Sequence, residues 1–99
     1  MIEQVTFAPR AARQTWRALE WWNQNRPEAP TLLEQEISAA VEMLRRHPSI
    51  GQVVHGRRSG QVQRLILRHT GYWLYYQITP HGVEIVALWH HSRGREPRL

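Results

Sequence analysis

The spacing of the apolar residues changes near Gly51, and this change constrains the fold more than any other feature of the sequence. Before it, apolar residues recur every three or four positions, which is typical of amphipathic helices. After it, short segments rich in β-branched, leucine and aromatic residues are separated by turns containing glycine or proline, which indicates strands. A chain of 99 residues is short enough for one domain, so that domain combines a helical half with a strand half.

The helical half opens with a short alternating segment that predicts a strand, and Pro9 then suits the first turn of a helix. Arg26 precedes Pro27, which should end this helix. Thr31 and Glu34 form a capping-box pattern at the start of a second helix. The apolar stripe of the first helix is Ala8, Ala12, Thr15, Trp16, Leu19 and Trp22, and that of the second is Leu33, Ile37, Ala40, Val41 and Leu44.

We therefore predict an α+β domain in which an N-terminal strand, an antiparallel helix hairpin and an antiparallel strand meander follow one another, with both helices on one face of the sheet. The segment 72–78 is the most apolar and should be the middle strand. We expect the C-terminal tail to be basic and frayed. The predicted bounds are 1–8 for the first strand, 9–25 and 29–47 for the helices, 52–55, 61–69, 72–79 and 83–91 for the later strands, and 92–99 for the tail.

The charges are unevenly distributed along the chain. All 13 basic residues are arginine and all 8 acidic residues are glutamate. Residues 1–50 hold six of each, whereas residues 51–99 hold seven arginines against two glutamates and carry the whole net charge of +5. The absence of cysteine excludes disulfides, iron–sulfur ligation and thiol catalysis. With no apolar run long enough for a membrane span and no signal-peptide pattern at the start, we expect a cytoplasmic protein.

Several segments, in this order and spacing, resemble the toxins of the RelE/ParE superfamily of type II toxin–antitoxin systems, and the resemblance covers nearly the whole chain. The ending of the last predicted strand, with its H-x-x-R pattern, is closest to ParE. The segments are Val5-Thr6-Phe7-Ala8-Pro9-Arg10-Ala11-Ala12, Asn25-Arg26-Pro27-Glu28-Ala29, His47-Pro48-Ser49-Ile50-Gly51, Arg64-Leu65-Ile66-Leu67-Arg68, Tyr72-Trp73-Leu74-Tyr75-Tyr76-Gln77 and Val83-Glu84-Ile85-Val86-Ala87-Leu88-Trp89-His90-His91-Ser92-Arg93.

The resemblance implies a bacterial toxin, of a plasmid-stabilisation type, that is held inactive in a hetero-oligomer with a co-expressed antitoxin. ParE-like toxins poison DNA gyrase and cleave nothing themselves, whereas RelE-like toxins cut mRNA in the ribosome. A third alternative is an inactive relic that binds its antitoxin and does nothing else.

An endoribonuclease would need an acid, a base and cations on the phosphate. Histidine titrates near neutrality and could supply the proton transfer. Arg64 and Arg68 should share one strand face, whereas His90 and His91 should point to opposite faces, with Glu84 on the side of His90. The candidate catalytic residues under this alternative are Arg64, Arg68, His90, His91 and Arg93.

The segment 72–78 is apolar on both of its faces, so helices on one face cannot cover all of it. Trp73 and Tyr75 should then line an exposed apolar groove flanked by Arg64 and Arg68. An antitoxin segment with apolar and acidic side chains fits this groove, although a homodimer could bury the same surface. Arginines interleaved with aromatic residues would also permit nucleic-acid binding, but no recognition motif supports it.

The tryptophans of the first helix have different expected roles. Trp16 and Trp22 lie on the apolar stripe and should belong to the core. Trp21 lies on the opposite side, where it either stacks with Arg17 or contacts a partner.

The six histidines lack metal-ligand spacing, so we expect neither a metal nor another cofactor. We favour a ParE-like toxin without catalytic residues, because RelE-type nucleases tend to carry lysines or a glutamate near the reacting phosphate and this chain has no lysine.

Overall fold

A computed structural model describes residues 4–54, 61–95 and 97–99 of the chain. Its five strands form one sheet in the order β1-β5-β4-β3-β2, in which β1 runs parallel to β5 and the other neighbours are antiparallel. The predicted α+β class is confirmed, and β4 is the middle strand. The elements are β1 (Val5–Phe7), α1 (Pro9–Asn25), α2 (Leu32–Arg46), β2 (Gln52–Val54), β3 (Val62–Leu67), β4 (Tyr72–Thr79), β5 (Gly82–His90) and a 3₁₀ turn (His91–Arg93).

Helix α1 presents a different face to the sheet from the one that the apolar stripe predicts. Its buried residues are Ala11, Ala18 and Trp22, whereas Trp16 is 68% exposed. Two alanines at a spacing of seven leave a small contact surface that lets the helix lie close to the sheet, and an indole has no room in that gap. Trp22 lies at the helix end, where its indole N–H donates to the Ala29 carbonyl at 2.8 Å. The prediction was therefore right for Trp22 and wrong for Trp16.

Helix α2 begins at Leu32, three residues after the predicted start, and buries the predicted stripe. Thr31 is its N-cap, but the Thr31 side chain makes no capping hydrogen bond, so the capping box does not form. Glu36 instead accepts hydrogen bonds from the backbone N–H of His69 at 2.8 Å and of Thr70 at 3.0 Å. This carboxylate fixes the helix to the β3–β4 turn. Neither helix in the part of the chain that is described is long and apolar enough to cross a membrane.

Strand β4 is buried on both faces. Tyr72, Leu74 and Tyr76 point toward the helices and belong to the main core. Tyr75 points to the other face, which we call the open face, and is 1% exposed there. A second, smaller cluster therefore covers β4 on the side away from the helices, and its buried members are Val54, Val62, Tyr75 and Ala87.

The C-terminal tail supplies part of that cover. Leu99 packs against the smaller cluster, and Pro97 is buried. The indole N–H of Trp89 donates to the Arg95 carbonyl at 2.8 Å and fastens the tail to β5. The expectation of a frayed tail is wrong for these residues, because the apolar open face of β4 and β5 gives them a surface to pack on.

Strand β5 contains a bulge. Tyr75 pairs with Ala87 and Tyr76 pairs with Ile85, so Val86 is an extra residue without a partner on β4. Such a residue shifts the alternation of side chains by one position. Ile85 and Leu88 consequently both belong to the main core, although they are three residues apart.

The close approach of β1 to β5 at Gly82 can be tested by substitution. Its φ is +135°, and a Cβ atom there would collide with the backbone carbonyl oxygen of Gln4, which accepts a hydrogen bond from the N–H of Val83. We expect Gly82→Ala to lower the free energy of unfolding by about 2–3 kcal/mol, measured by urea unfolding. Gly94 is the matched control, because its φ is +71° and no other atom lies within 4 Å of the added Cβ. A loss in Gly82→Ala no larger than in Gly94→Ala would contradict the close approach of β1.

Candidate functional site

A cleft of about 450 Å³ lies between α1 and the end of β5, and we call it the helix-side cleft. Two arginines line it, Arg17 from α1 and Arg93 from the 3₁₀ turn, and two tryptophans, Trp21 and Trp89, stand beside them. No acidic side chain lines it in the part of the chain that is described. Its remaining lining residues are Gln14, Ala18, Tyr72, Leu88, His90 and Ser92.

Gln14 fixes the position of α1 along this cleft. Strand β1 pairs with β5 only as far as Ile85, so the backbone N–H of Leu88 lies beyond the end of that ladder. The Gln14 side-chain oxygen accepts this N–H at 2.9 Å. The helix therefore replaces the missing strand along the last part of β5.

His90 is held in the neutral form at the end of β5. Its Nδ1 accepts from the backbone N–H of Ser92 at 3.2 Å and lies 2.7 Å from the Ser92 hydroxyl oxygen, which can also donate to it. In this tautomer Nε2 carries the proton and donates to the Thr70 carbonyl at 3.1 Å. Burial lowers the pKa of His90 from its ordinary value, and the hydrogen bond to Thr70 partly opposes this. The nearby charges of His91, Arg93 and Arg26 lower the pKa of His90 further.

Tyr72 lies against His90 with the ring centroids 4.8 Å apart and the ring planes nearly perpendicular. Burial raises the pKa of the Tyr72 phenol, and the charge of Arg93 acts in the opposite direction. Neither Tyr72 nor His90 is therefore a ready proton acceptor from a substrate, since Tyr72 stays protonated and both nitrogens of His90 are engaged.

His90 and His91 do not diverge as the strand geometry predicts. Their rings stack with centroids 4.8 Å apart and an angle of 25° between the planes. The reason is that β5 ends at His90 and His91 begins the 3₁₀ turn, so the alternation of a strand no longer applies. Glu84 is also misplaced by the prediction: the bulge at Val86 puts it on the face opposite to His90, where it accepts a hydrogen bond from Gln77 at 3.0 Å.

A second cleft, of about 220 Å³, lies on the other side of Trp89, and we call it the open-face cleft. The guanidinium of Arg64 lies 4.0 Å from the ring centroid of Trp73, and the Arg64 Nε donates to the Gln52 side-chain oxygen at 3.1 Å. The lining residues are Arg64, Trp73, Tyr75, Trp89, His91, Gly94 and Arg95.

The predicted groove exists only in part. Arg64, Trp73 and Tyr75 do meet in the open-face cleft, but Tyr75 is buried rather than exposed, because the tail and the smaller cluster cover it. Arg68 does not line this cleft: β3 ends at Leu67, and Arg68 lies exposed in the turn that follows. The predicted continuation of the arginine row along the strand is therefore wrong.

Trp21 is 47% exposed, and Arg17 lines the same helix-side cleft. The guanidinium near the Trp21 ring is nevertheless that of Arg26, 5.4 Å from the centroid, in place of the predicted Arg17. Arg26 is the C-cap of α1 and also lies 5.9 Å from the Trp22 ring.

The five candidate catalytic residues are thus divided among three places. His90 and Arg93 line the helix-side cleft, Arg64 and His91 line the open-face cleft, and Arg68 lines neither. Arg93 lies 4.2 Å from the Trp89 ring centroid, on the residue that both clefts share.

Trp89, Gln14 and Arg95 are the residues of these clefts that the sequence analysis did not single out. Trp89 follows the apolar run of β5 and directly precedes the two histidines, which marks it as a strand-end aromatic that the residues after it can cover. The role of Gln14 depends on where β1 ends, and no sequence pattern indicates that position.

The sequence matches a known family of proteins. A family model described as "ParE toxin of type II toxin-antitoxin system" matches residues 5–95. The chain belongs to the ParE toxin family. The predicted membership of the RelE/ParE superfamily, closer to ParE, is confirmed. Members of the ParE family are toxin components of type II toxin–antitoxin systems.

Two solved structures share the fold of this ParE-family chain. One, titled "Chromosomal ParDE TA system from P. aeruginosa", has a TM-score of 0.71 and 16% identity, over 90% of this chain and 96% of that one. The other, titled "The structure of YoeB dimer from Staphylococcus aureus", has a TM-score of 0.60 and 17% identity, over 92% of this chain and 99% of that one. No curated protein matches the sequence.

Within residues 4–54, 61–95 and 97–99, no three histidine or acidic side chains lie close enough together to hold a metal ion. His55 lies outside the described residues.

The lowered pKa of the partly buried His90 predicts how the stability of this ParE-family chain depends on pH. The native pKa of His90 is lower than the unfolded value of about 6.5, so the unfolded chain binds the proton more readily. The free energy of unfolding should therefore be highest above that pH and fall as the pH is lowered through it. We expect His90→Gln to flatten this fall between pH 7.5 and pH 5, measured by urea unfolding at each pH.

His81→Gln is the control, since His81 is exposed in the β4–β5 turn, and it should keep the slope of the original chain. An unchanged slope in His90→Gln would show that His90 is not held neutral.

Proposed function

We propose that this chain is a ParE-type toxin that inhibits DNA gyrase by binding it, and that a cognate antitoxin neutralises the chain by direct contact in a hetero-oligomer. The observation that carries the proposal is the division of the candidate catalytic groups between two clefts and an exposed turn. Cleavage needs an acid, a base and cations around one phosphate, and among the described residues neither cleft brings two free proton-transfer groups together with its cations.

The state of His90 supports the same conclusion. Both of its ring nitrogens are engaged, Nε2 with the Thr70 carbonyl and Nδ1 with the backbone N–H and the hydroxyl of Ser92. Proton transfer to or from a substrate would break one of these hydrogen bonds. His90 then acts as a structural residue that joins the end of β5 to the β3–β4 turn.

The surface supports a role in binding proteins. Three tryptophans, Trp21, Trp73 and Trp89, carry arginine guanidinium groups within 6 Å of their ring centroids. Aromatic residues and arginine are the side chains that protein interfaces favour most. The basic surface suits an acidic antitoxin segment, and we place one of its contacts beside Arg64 and Trp73, at the part of the open face that Tyr75 and the tail leave accessible.

A second candidate function has one observation in its favour. His91 is exposed and shares the open-face cleft with Arg64 and Arg95, so a histidine and two cations do meet there. An endoribonuclease acting in the ribosome would use His91 as its acid or base. In either case the site of action is the cytoplasm, where gyrase, ribosomes and the antitoxin are.

The test is controlled expression of the chain without its antitoxin, followed by growth, plasmid supercoiling and the 5′ ends of mRNA. We expect growth arrest with loss of negative supercoiling and without codon-specific mRNA ends. His91→Ala should inhibit purified gyrase within about twofold of the original chain, whereas loss of a general acid or base costs a nuclease about 10²–10⁴-fold.

His81→Ala is the matched control, because His81 lines neither cleft. Codon-specific mRNA cleavage that His91→Ala abolishes, with normal gyrase activity, would replace the proposal by the nuclease. Normal growth would leave an antitoxin-binding relic. A short acidic reading frame beside the gene should restore growth when it is co-expressed.

A further inference from the structure

The helix-side cleft collects positive charge that the described residues do not neutralise. Arg17 and Arg93 line it from different elements, and the charge of Arg26 reaches His90 at its wall. His90 itself is neutral, so it adds no further repulsion. Cations that are brought together without a counter-charge raise the energy of the free protein, and an anionic group in the cleft would lower it.

Of the two arginines that line this cleft, Arg93 is held by an aromatic ring, and Arg26 beside the cleft is held by another. Arg93 lies 4.2 Å from the centroid of Trp89, and Arg26 lies 5.4 Å from that of Trp21. A guanidinium that stacks on a ring leaves its N–H groups in the plane of the guanidinium, where they can donate to two oxygens of one carboxylate. Arg93 is therefore preorganised to bind a planar anion, and Arg17 supplies the second positive charge.

Part of the remaining lining is apolar. Ala18, Leu88 and Tyr72 are all buried residues at the bottom of the cleft. They would receive the methylene groups of an acidic side chain or a neighbouring aliphatic side chain.

A peptide carboxylate fits these features better than nucleic acid does. Single-stranded nucleic acid is held by free aromatic faces on which bases stack and by a row of cations along its backbone. Here guanidinium groups already lie over Trp21 and Trp89, and the cations surround one pocket instead of following a track.

We infer that the helix-side cleft is the anchoring site for an acidic side chain of the neutralising partner, held between Arg17 and Arg93 with an adjacent aliphatic side chain on Ala18 and Leu88. This inference rests on the proposed function for the identity of the partner. It does not rest on gyrase as the target.

The experiment measures binding of a fluorescein-labelled peptide of eight alternating glutamate and leucine residues to the full chain, by fluorescence anisotropy. A peptide with glutamine in place of glutamate is the matched probe. We expect the glutamate peptide to bind about tenfold more tightly than the glutamine peptide, and Arg17→Gln and Arg93→Gln each to weaken its binding by about five- to tenfold.

Arg13→Gln and Arg68→Gln are the control variants, since both arginines are exposed and line neither of the two clefts. They should change the affinity by less than about twofold, the effect of one distant surface charge. Urea unfolding midpoints show whether each variant folds, and the exposed position of Arg17 makes Arg17→Gln the variant that decides.

Three results would overturn the inference: no binding of the glutamate peptide, equal losses in the control variants, or tighter binding of an eight-nucleotide oligothymidylate through Arg17 and Arg93. The last result would assign the cleft to nucleic acid. Failure of the proposed function is recognised separately. A chain can bind the glutamate peptide through these arginines and still leave growth and gyrase unaffected. That result would keep the anchoring site and reject the toxin activity.

Discussion

The burial of β4 on both faces is the constraint on which the rest of the structure depends. Tyr75 and Tyr76 are neighbours in sequence, point to opposite faces and are each at most 1% exposed. The helix hairpin covers Tyr76, so the chain needs a second cover for Tyr75. The smaller cluster and the end of the chain provide it together, and the end of the chain places Arg93 and Arg95 against Trp89. The packing requirement of one strand thus assembles the two clefts.

The bulge in β5 and the end of that strand decide which groups share a cleft. If β5 alternated regularly through Val86, His90 and Glu84 would share a face, although about 20 Å of strand would still separate them. With the bulge, His90 faces Tyr72 and the Thr70 carbonyl, while Glu84 binds Gln77 on the other face. One inserted residue therefore decides that His90 joins the helix side of the sheet and Glu84 the open face.

The sequence allowed the fold to be predicted further than the sites. The two-residue and 3.6-residue periodicities report burial directly, and they predicted the class, the middle strand and the buried face of α2. The face of α1 could not be read, because the choice between Trp16 and the pair Ala11 and Ala18 depends on how closely the helix approaches the sheet. The Val86 bulge is likewise set by pairing with β4, and Val, Ala and Leu around it show no local signal. Site predictions failed where they assumed that strand alternation continues, as for Arg68, Glu84 and His91.

The arginine–tryptophan pairs give a structural reason for arginine, and not lysine, at these positions. A guanidinium is planar and weakly hydrated, so it can lie flat on an indole and still donate from its edge, whereas a compact, strongly hydrated ammonium group loses solvation on the same ring. Arg64 on Trp73, Arg26 on Trp21 and Arg93 on Trp89 use this property three times. Each pair holds a positive charge at a fixed place on the surface at little cost in side-chain entropy, because the ring already restrains the long side chain. Fixed guanidinium edges recognise carboxylates by geometry as well as by charge, so these three pairs suit the binding of an anionic group in a way that lysine could not reproduce.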